Sequence, residues 1–98
     1  MRRGNNEALT PEQNRALADV RAERARQDEL WGADRDLHPA IWHLILAEES
    51  GEVASATQEL LDAAPGARTH QLRHLRTELT HVAAVAIAWI EALDREAS

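Results

Sequence analysis

Ala64-Pro65-Gly66-Ala67 carries a Pro-Gly step, a tight-turn signal, between two long runs in which apolar residues recur at helical spacing. Upstream, residues 39–63 place Trp42, Ile45, Leu46, Val53, Ala56 and Leu60 on one arc of a helix that turns ~100° per residue. Downstream, residues 69–95 place Leu72, Leu75, Leu79, Val82, Val85, Ala86, Trp89 and Leu93 on one arc. A turn at Pro65 folds the second run back along the first, which predicts an antiparallel helical hairpin.

The rest of the chain fits around that hairpin. Thr10-Pro11-Glu12-Gln13 reads as a helix start, with Thr as N-cap, Pro at the first helical position and Gln reaching back as in a capping box. The helix it opens runs to about Trp31, where Gly32 can end it. Residues 32–38 read as a loop, and Pro39 opens the second helix. Residues 1–9 are polar and expected to be flexible, leaving residues 10–98 as one helical domain. At 98 residues there is no room for a second domain, and a chain this short buries only about two-thirds of its unfolded surface. Its core is thin, with no Phe or Tyr and three Trp. Residues 82–90, from Val82 to Ile90, are apolar all the way round, which predicts burial on every side. One chain supplies too few helices for that. The predicted fold is therefore all-α, with three main helices and the hairpin of the second and third completed by dimerisation into a four-helix-bundle-like core. A homodimer or a dimer of dimers satisfies it.

Composition excludes several functions. A net charge of −6, not concentrated in a tail, argues against binding nucleic acid through a basic surface. The absence of cysteine removes disulfides, thiol catalysis and thiolate metal sites. No apolar run approaches the ~20 residues that span a bilayer. The first six residues, Met-Arg-Arg-Gly-Asn-Asn, lack the apolar core of a signal peptide. The expectation is a cytoplasmic protein with no membrane partner.

The acids interrupt the apolar arcs. Glu49 falls in the middle of the arc of the second helix, Glu52 on its near edge and Glu48 just beyond it. On the third helix Glu78 lies inside the arc, between Val85 and Trp89, and His81 sits at the margin. Glu52 and Glu78 are each thirteen residues from Pro65, while Glu49 and His81 are each sixteen from it. In an antiparallel hairpin these two pairs meet at neighbouring levels. Carboxylates forced together out of water cannot all stay ionised without a compensating cation. A hard divalent metal with oxygen ligands supplies one. The competing reading is a small rotation of the helices that leaves the acids as ordinary solvated charge. Gly51, which costs about 1 kcal/mol relative to Ala inside a helix, suggests a close backbone or ligand approach beside Glu52.

These residues resemble the MazG-like, all-α nucleotide pyrophosphohydrolases, in particular the small single-domain members of phage and actinobacterial type. The resemblance covers about residues 20–95. It rests on Glu23-Arg24-Ala25-Arg26-Gln27 with Trp31-Gly32, on Glu48-Glu49-Ser50-Gly51-Glu52, and on Glu78 ahead of Ala88-Trp89-Ile90-Glu91. The family pattern is Glu-Glu-x-x-Glu, a spacer, then Glu-x-x-Asp; here His81 stands where the Asp would be. The resemblance implies hydrolysis of a nucleoside triphosphate to the monophosphate and pyrophosphate, dependent on Mg²⁺ or, given His81, on Mn²⁺. It implies Glu48, Glu49, Glu52 and Glu78 as metal ligands, with Glu49 also taking the attacking water's proton; His81, a departure from the family pattern, is expected to add a nitrogen ligand in place of the Asp. Arg24 and Arg26, with Arg73 and Arg76 as further candidates, would meet the substrate's phosphates. Trp31 or Trp42 would stack on its base.

Two other classes use the same residues. Glu78-Leu79-Thr80-His81 is a Glu-x-x-His motif, and two such hairpins would supply the ligands of a di-iron or di-manganese carboxylate protein. The absent Asp also suits a non-catalytic helical dimer that only binds a nucleotide or a protein.

Overall fold

In the computed structural model, which describes residues 8–97, the chain forms three α-helices: α1 (Pro11–Trp31), α2 (Pro39–Asp62) and α3 (Arg68–Ala97). A 3₁₀ turn over Pro65–Ala67 joins α2 to α3. There is no strand among the described residues, and no described helix is long and apolar enough to cross a membrane. The expectations for the N-terminal segment fall, for residues 1–7, outside the described residues.

Local chemistry accounts for the helix ends. The Thr10 N–H donates to Gln13 Oε1 at 2.8 Å and the Gln13 N–H donates to Thr10 Oγ1 at 3.0 Å, closing the capping box. Gly32 ends α1 at φ 94°, a left-handed conformation that a side chain would resist, and its N–H donates to the Asp28 carbonyl. His38 caps α2, its Nδ1 accepting from the Ala40 N–H at 3.0 Å ahead of Pro39.

The layout is a hairpin with a third helix laid against one of its arms. α3 packs along α2 and also along α1, whereas α1 and α2 make no close backbone approach among the described residues. The buried apolar residues are Trp42, Ala56, Ala84, Val85, Ala88 and Ala92. Four of the six are alanines, so helix backbones come close and the core gains little apolar area per residue.

Sharing α3 between two helices changes which of its faces is buried. Its buried residues are Glu78, Ala84, Val85, Ala88 and Ala92. Leu72, Leu79 and Leu93, which the apolar arc placed inward, are exposed. That arc assumed α2 as the only partner; α1 also covers α3, so the buried stripe turns toward the alanines that fit between both. Nor is the run from Val82 to Ile90 enclosed on every side within the chain, because Ile87 and Ile90 are exposed.

Beyond the hairpin's buried stripe, side chains tie α1 and the loop to α3. Arg24 of α1 bonds both Asp28 and Glu91. The Arg35 guanidinium donates to the carbonyls of Gln27 and Gly32, and Arg95 donates to the Arg35 carbonyl at 3.0 Å.

Candidate metal centre

Glu78 and His81 stand one turn apart on α3, on the stripe that faces the other helices. Glu49 approaches from α2 and Glu23 from α1. His81 Nδ1 lies 3.9 Å from Glu49 Oε2 and 3.9 Å from Glu78 Oε2, while His81 Nε2 lies 3.7 Å from Glu23 Oε2. Glu49, Glu78 and His81 each offer a ligand atom, and the three atoms lie within 4.8 Å of one another. Ligand atoms bound to one hard cation at about 2.1–2.5 Å stand roughly 3–4 Å apart, so only a small contraction separates this group from a coordination shell.

The two carboxylates are poorly satisfied as they stand. Glu49 Oε2 and Glu78 Oε2 are buried and have no hydrogen-bond partner. Burial pushes the Glu78 carboxyl above the usual carboxylate range, with the adjoining Glu52 carboxyl adding to it. Burial likewise raises Glu49, and Glu52, Glu23 and Glu48 push the same way. The nearby imidazole acts against both shifts without cancelling them. A cation at this point would meet two buried oxygens without a hydrogen bond and a ring nitrogen 3.9 Å from each of them.

Glu23 is built differently. Arg26 grips it with two bonds, Nε to Oε1 at 2.7 Å and Nη2 to Oε2 at 2.6 Å, and Gln27 Nε2 donates to Oε2 at 3.0 Å. The Arg26 contact holds its carboxyl below the usual range despite partial burial. The Glu23 carboxylate stands 3.7 Å from the far nitrogen of His81, outside hydrogen-bond distance but on the side where the second partner of a metal-bound imidazole is found.

The hairpin register brings Glu49 beside His81 and Glu52 beside Glu78, the pairs equally spaced from Pro65. Glu52 is itself exposed and borders the group. Glu48 is exposed and acts on it only by repelling Glu49. Arg26 belongs to the cluster through Glu23, but Arg24 is committed to Asp28 and Glu91, far along α3 from His81. Trp31 is exposed with Arg35 over its ring, and Trp42 is a core residue. Arg76 pairs with Asp19 at 2.8 Å, and His74 lies 3.9 Å from Glu59. Gly51 has no close neighbour; a Cβ there would meet nothing within 4 Å, so the chain itself gives no reason for a glycine.

One feature escapes a two-helix reading. Glu23 enters from α1, and His81, half-buried at the margin of the arc, is drawn into the group from there. A signal for Glu23 was present: Val20, Glu23 and Gln27 share one helical stripe, and all three are at least partly buried. The stripe is too polar to register as an apolar face. No family model, curated protein or solved structure matches this chain.

Proposed function

We propose that this chain is a divalent-metal-dependent nucleoside triphosphate pyrophosphohydrolase of the MazG-like kind, releasing pyrophosphate and the monophosphate. The observation that carries this reading is the pair of buried oxygens without a hydrogen bond, Glu49 Oε2 and Glu78 Oε2, each 3.9 Å from His81 Nδ1. Glu49, Glu78 and His81 would hold the ion, with Glu52 at its border and Glu48 nearest to solvent. The mixed oxygen and nitrogen set suits Mn²⁺ better than Mg²⁺.

A bound divalent ion supplies charge neutralisation at the phosphate oxygens and makes water easier to deprotonate. Within the chain, Glu49 is the carboxylate placed to take that water's proton, since it is half-buried beside His81 and Glu78 where the ion would sit. Oxygen attack at the α-phosphorus breaks the α–β anhydride bond, and pyrophosphate leaves. Arg26 and Arg76 line a hollow beside His81 between α1 and α3; each is half-exposed and paired with a carboxylate of the same hollow, Glu23 and Asp19, which a phosphate would have to displace. Arg24, enclosed in its own ion pairs, holds α1 in place.

The test is pyrophosphate release from a panel of nucleoside triphosphates with Mg²⁺ or Mn²⁺. Release is expected, faster with Mn²⁺, and Glu49→Gln should lower it about 100-fold or more. No release from any nucleotide with either metal would overturn the reading.

His81 inside the cluster favours one second reading, a di-metal carboxylate protein built on Glu78-x-x-His81 with Glu49. Iron retained by the purified protein, seen by elemental analysis and absorbance, would select it.

Self-association belongs to the same proposal. The radius of gyration is 16.1 Å, against about 13 Å for a compact chain of ~100 residues. Ile87, Ile90, Leu79 and Leu72 leave apolar surface exposed along α3. Light scattering should show a dimer or a dimer of dimers, and Ile87→Glu with Ile90→Glu should give a folded monomer. A well-folded wild-type monomer at micromolar concentration would contradict this.

A further inference from the structure

Two imidazoles of α3 take no part in the carboxylate centre. His70 and His74 stand four residues apart, so they share one face of the helix, with Cβ atoms about 6 Å apart. Two histidines at that spacing can both turn a ring nitrogen to one metal ion, as the paired histidines of helical zinc motifs do. Spacing alone would leave a pair of solvated rings. The second observation comes from α2, where Glu59 reaches across the hairpin and sets its Oε2 3.9 Å from His74 Nε2.

That separation is too long for a hydrogen bond and close to that of two ligands on one ion. Nitrogen and oxygen bound tetrahedrally at about 2.1 Å stand roughly 3.4 Å apart. The group is also open to an ion arriving from water. The His74 and Glu59 side chains are 42% and 53% exposed. His70 is exposed and makes no hydrogen bond or ion pair among the described residues.

The donor set differs in kind from that of the carboxylate centre. There, two carboxylates meet one imidazole; here, two imidazoles meet one carboxylate. Nitrogen-rich sets favour Zn²⁺, Ni²⁺ and Cu²⁺ over Mg²⁺ and Mn²⁺. The two groups are also apart: the midpoint of His70 and His74 lies about 11 Å along α3 from that of Glu78 and His81, too far for one ion to serve both.

We propose that His70, His74 and Glu59 form a second cation site, selective for a divalent ion of the zinc class, which ties α2 to α3 beside the Pro65 turn. Three protein ligands leave a fourth tetrahedral position to water. No residue of α3 before Glu78 is buried, so this end of the hairpin has little apolar packing and gains from a cross-link. The site does not depend on the pyrophosphohydrolase reading.

The test is titration of the Glu49→Gln/Glu78→Gln variant, in which the carboxylate centre is disabled, with Zn²⁺, followed by the imidazole NMR signals of its five histidines. One equivalent of Zn²⁺ should shift the His70 and His74 rings far more than those of His38, His43 and His81, and should raise the melting temperature. Mg²⁺ or Mn²⁺ at the same concentration should do neither. Adding His70→Gln and His74→Gln, with helical circular dichroism retained, should weaken Zn²⁺ binding at least about tenfold and abolish the rise. Glu59→Gln keeps both rings but cuts the link to α2, so it should bind several-fold more weakly and lose most of the rise. Zn²⁺ shifts confined to other histidines, or binding undiminished without His70 and His74, overturns the proposal. Affinity and melting rise unchanged in Glu59→Gln overturn the bridge between the helices.

Discussion

Near the C-terminal end of α3, Arg24 is almost enclosed, and the side chains it touches are anions, Asp28 and Glu91. Closer to the Pro65 turn, Glu49 and Glu78 are also withdrawn from water, but their charged neighbours include further carboxylates. The same helix thus joins a closed ion-pair network to an open one. In the first, each charge has its counter-charge and hydrogen bonds, and the Arg24 guanidinium is driven further toward its charged form. In the second, burial and like charge drive two carboxyls toward their neutral form. A closed network holds helices together; an open one stores a demand for a cation.

Substitutions can break the two regions in opposite directions. The largest loss should come from Trp42→Ala, which empties the most enclosed large side chain of the core and should cost about 3–5 kcal/mol in urea unfolding. Arg24→Met should cost less, about 1–3 kcal/mol, since it leaves Asp28 and Glu91 without their cation while Glu91 stays partly in water. Glu78→Gln should do the reverse to the metal-free protein. Removing one charge from the open network should raise its melting temperature by about 4–8 °C, equivalent to about 1 kcal/mol. A loss as large as that of Arg24→Met would mean Glu78 is satisfied after all.

Acidity should separate the regions as well. The folded-state values of Glu49 and Glu78 lie above the ordinary 4.5, so the native state binds protons before the unfolded chain does. Stability of the metal-free protein should therefore rise as pH falls from 7 toward 5, and be lost again as pH rises through the folded values. Glu23, held low by Arg26, acts oppositely, its contribution being lost only as pH falls below about 4.5. Thermal melts across pH 5–7 should slope upward toward acid for wild type and flatten in Glu49→Gln/Glu78→Gln. Metal should bind more weakly at the acid end, because protons compete for the same oxygens. The smallest effect should be that of Gly51→Ala, a gain of about 0.5–1 kcal/mol, since the added Cβ meets nothing and helix propensity improves. A loss there would show that something outside the chain covers that position.

Much of the fold was legible because its punctuation is local. Thr10, Gly32, Pro39 and the Pro65-Gly66 step act through their own backbones, so they can be read without knowing what packs where. The register of the carboxylates was legible for the same reason: equal spacing from one turn fixes the levels of Glu49 with His81 and Glu52 with Glu78. Rotation was not legible. Which face of α3 turns inward depends on α1 as well as α2, and α1 is too polar to declare a face; its one buried residue is Gln27. Hence the apolar arc puts Leu72, Leu79 and Leu93 inward where the structure exposes them, and it gives no place in the site to Glu23. The stacking of Trp42 on Trp89 was hidden likewise, since it depends on how far the helices slide and not on spacing within either one.

The central claim is that the open network at Glu49, Glu78 and His81 is completed by a divalent ion. Thermal melting of wild type and of Glu49→Gln/Glu78→Gln at increasing Mn²⁺ tests it most directly, because an ion that binds the native cluster and not the unfolded chain must stabilise the fold. At pH 7, the wild-type melting temperature should climb steadily with Mn²⁺, by the equivalent of about 2.7 kcal/mol at one hundred times the dissociation constant, while the double variant stays level. A wild-type melting temperature indifferent to Mn²⁺ and Mg²⁺, or an equal climb in the double variant, would contradict the account.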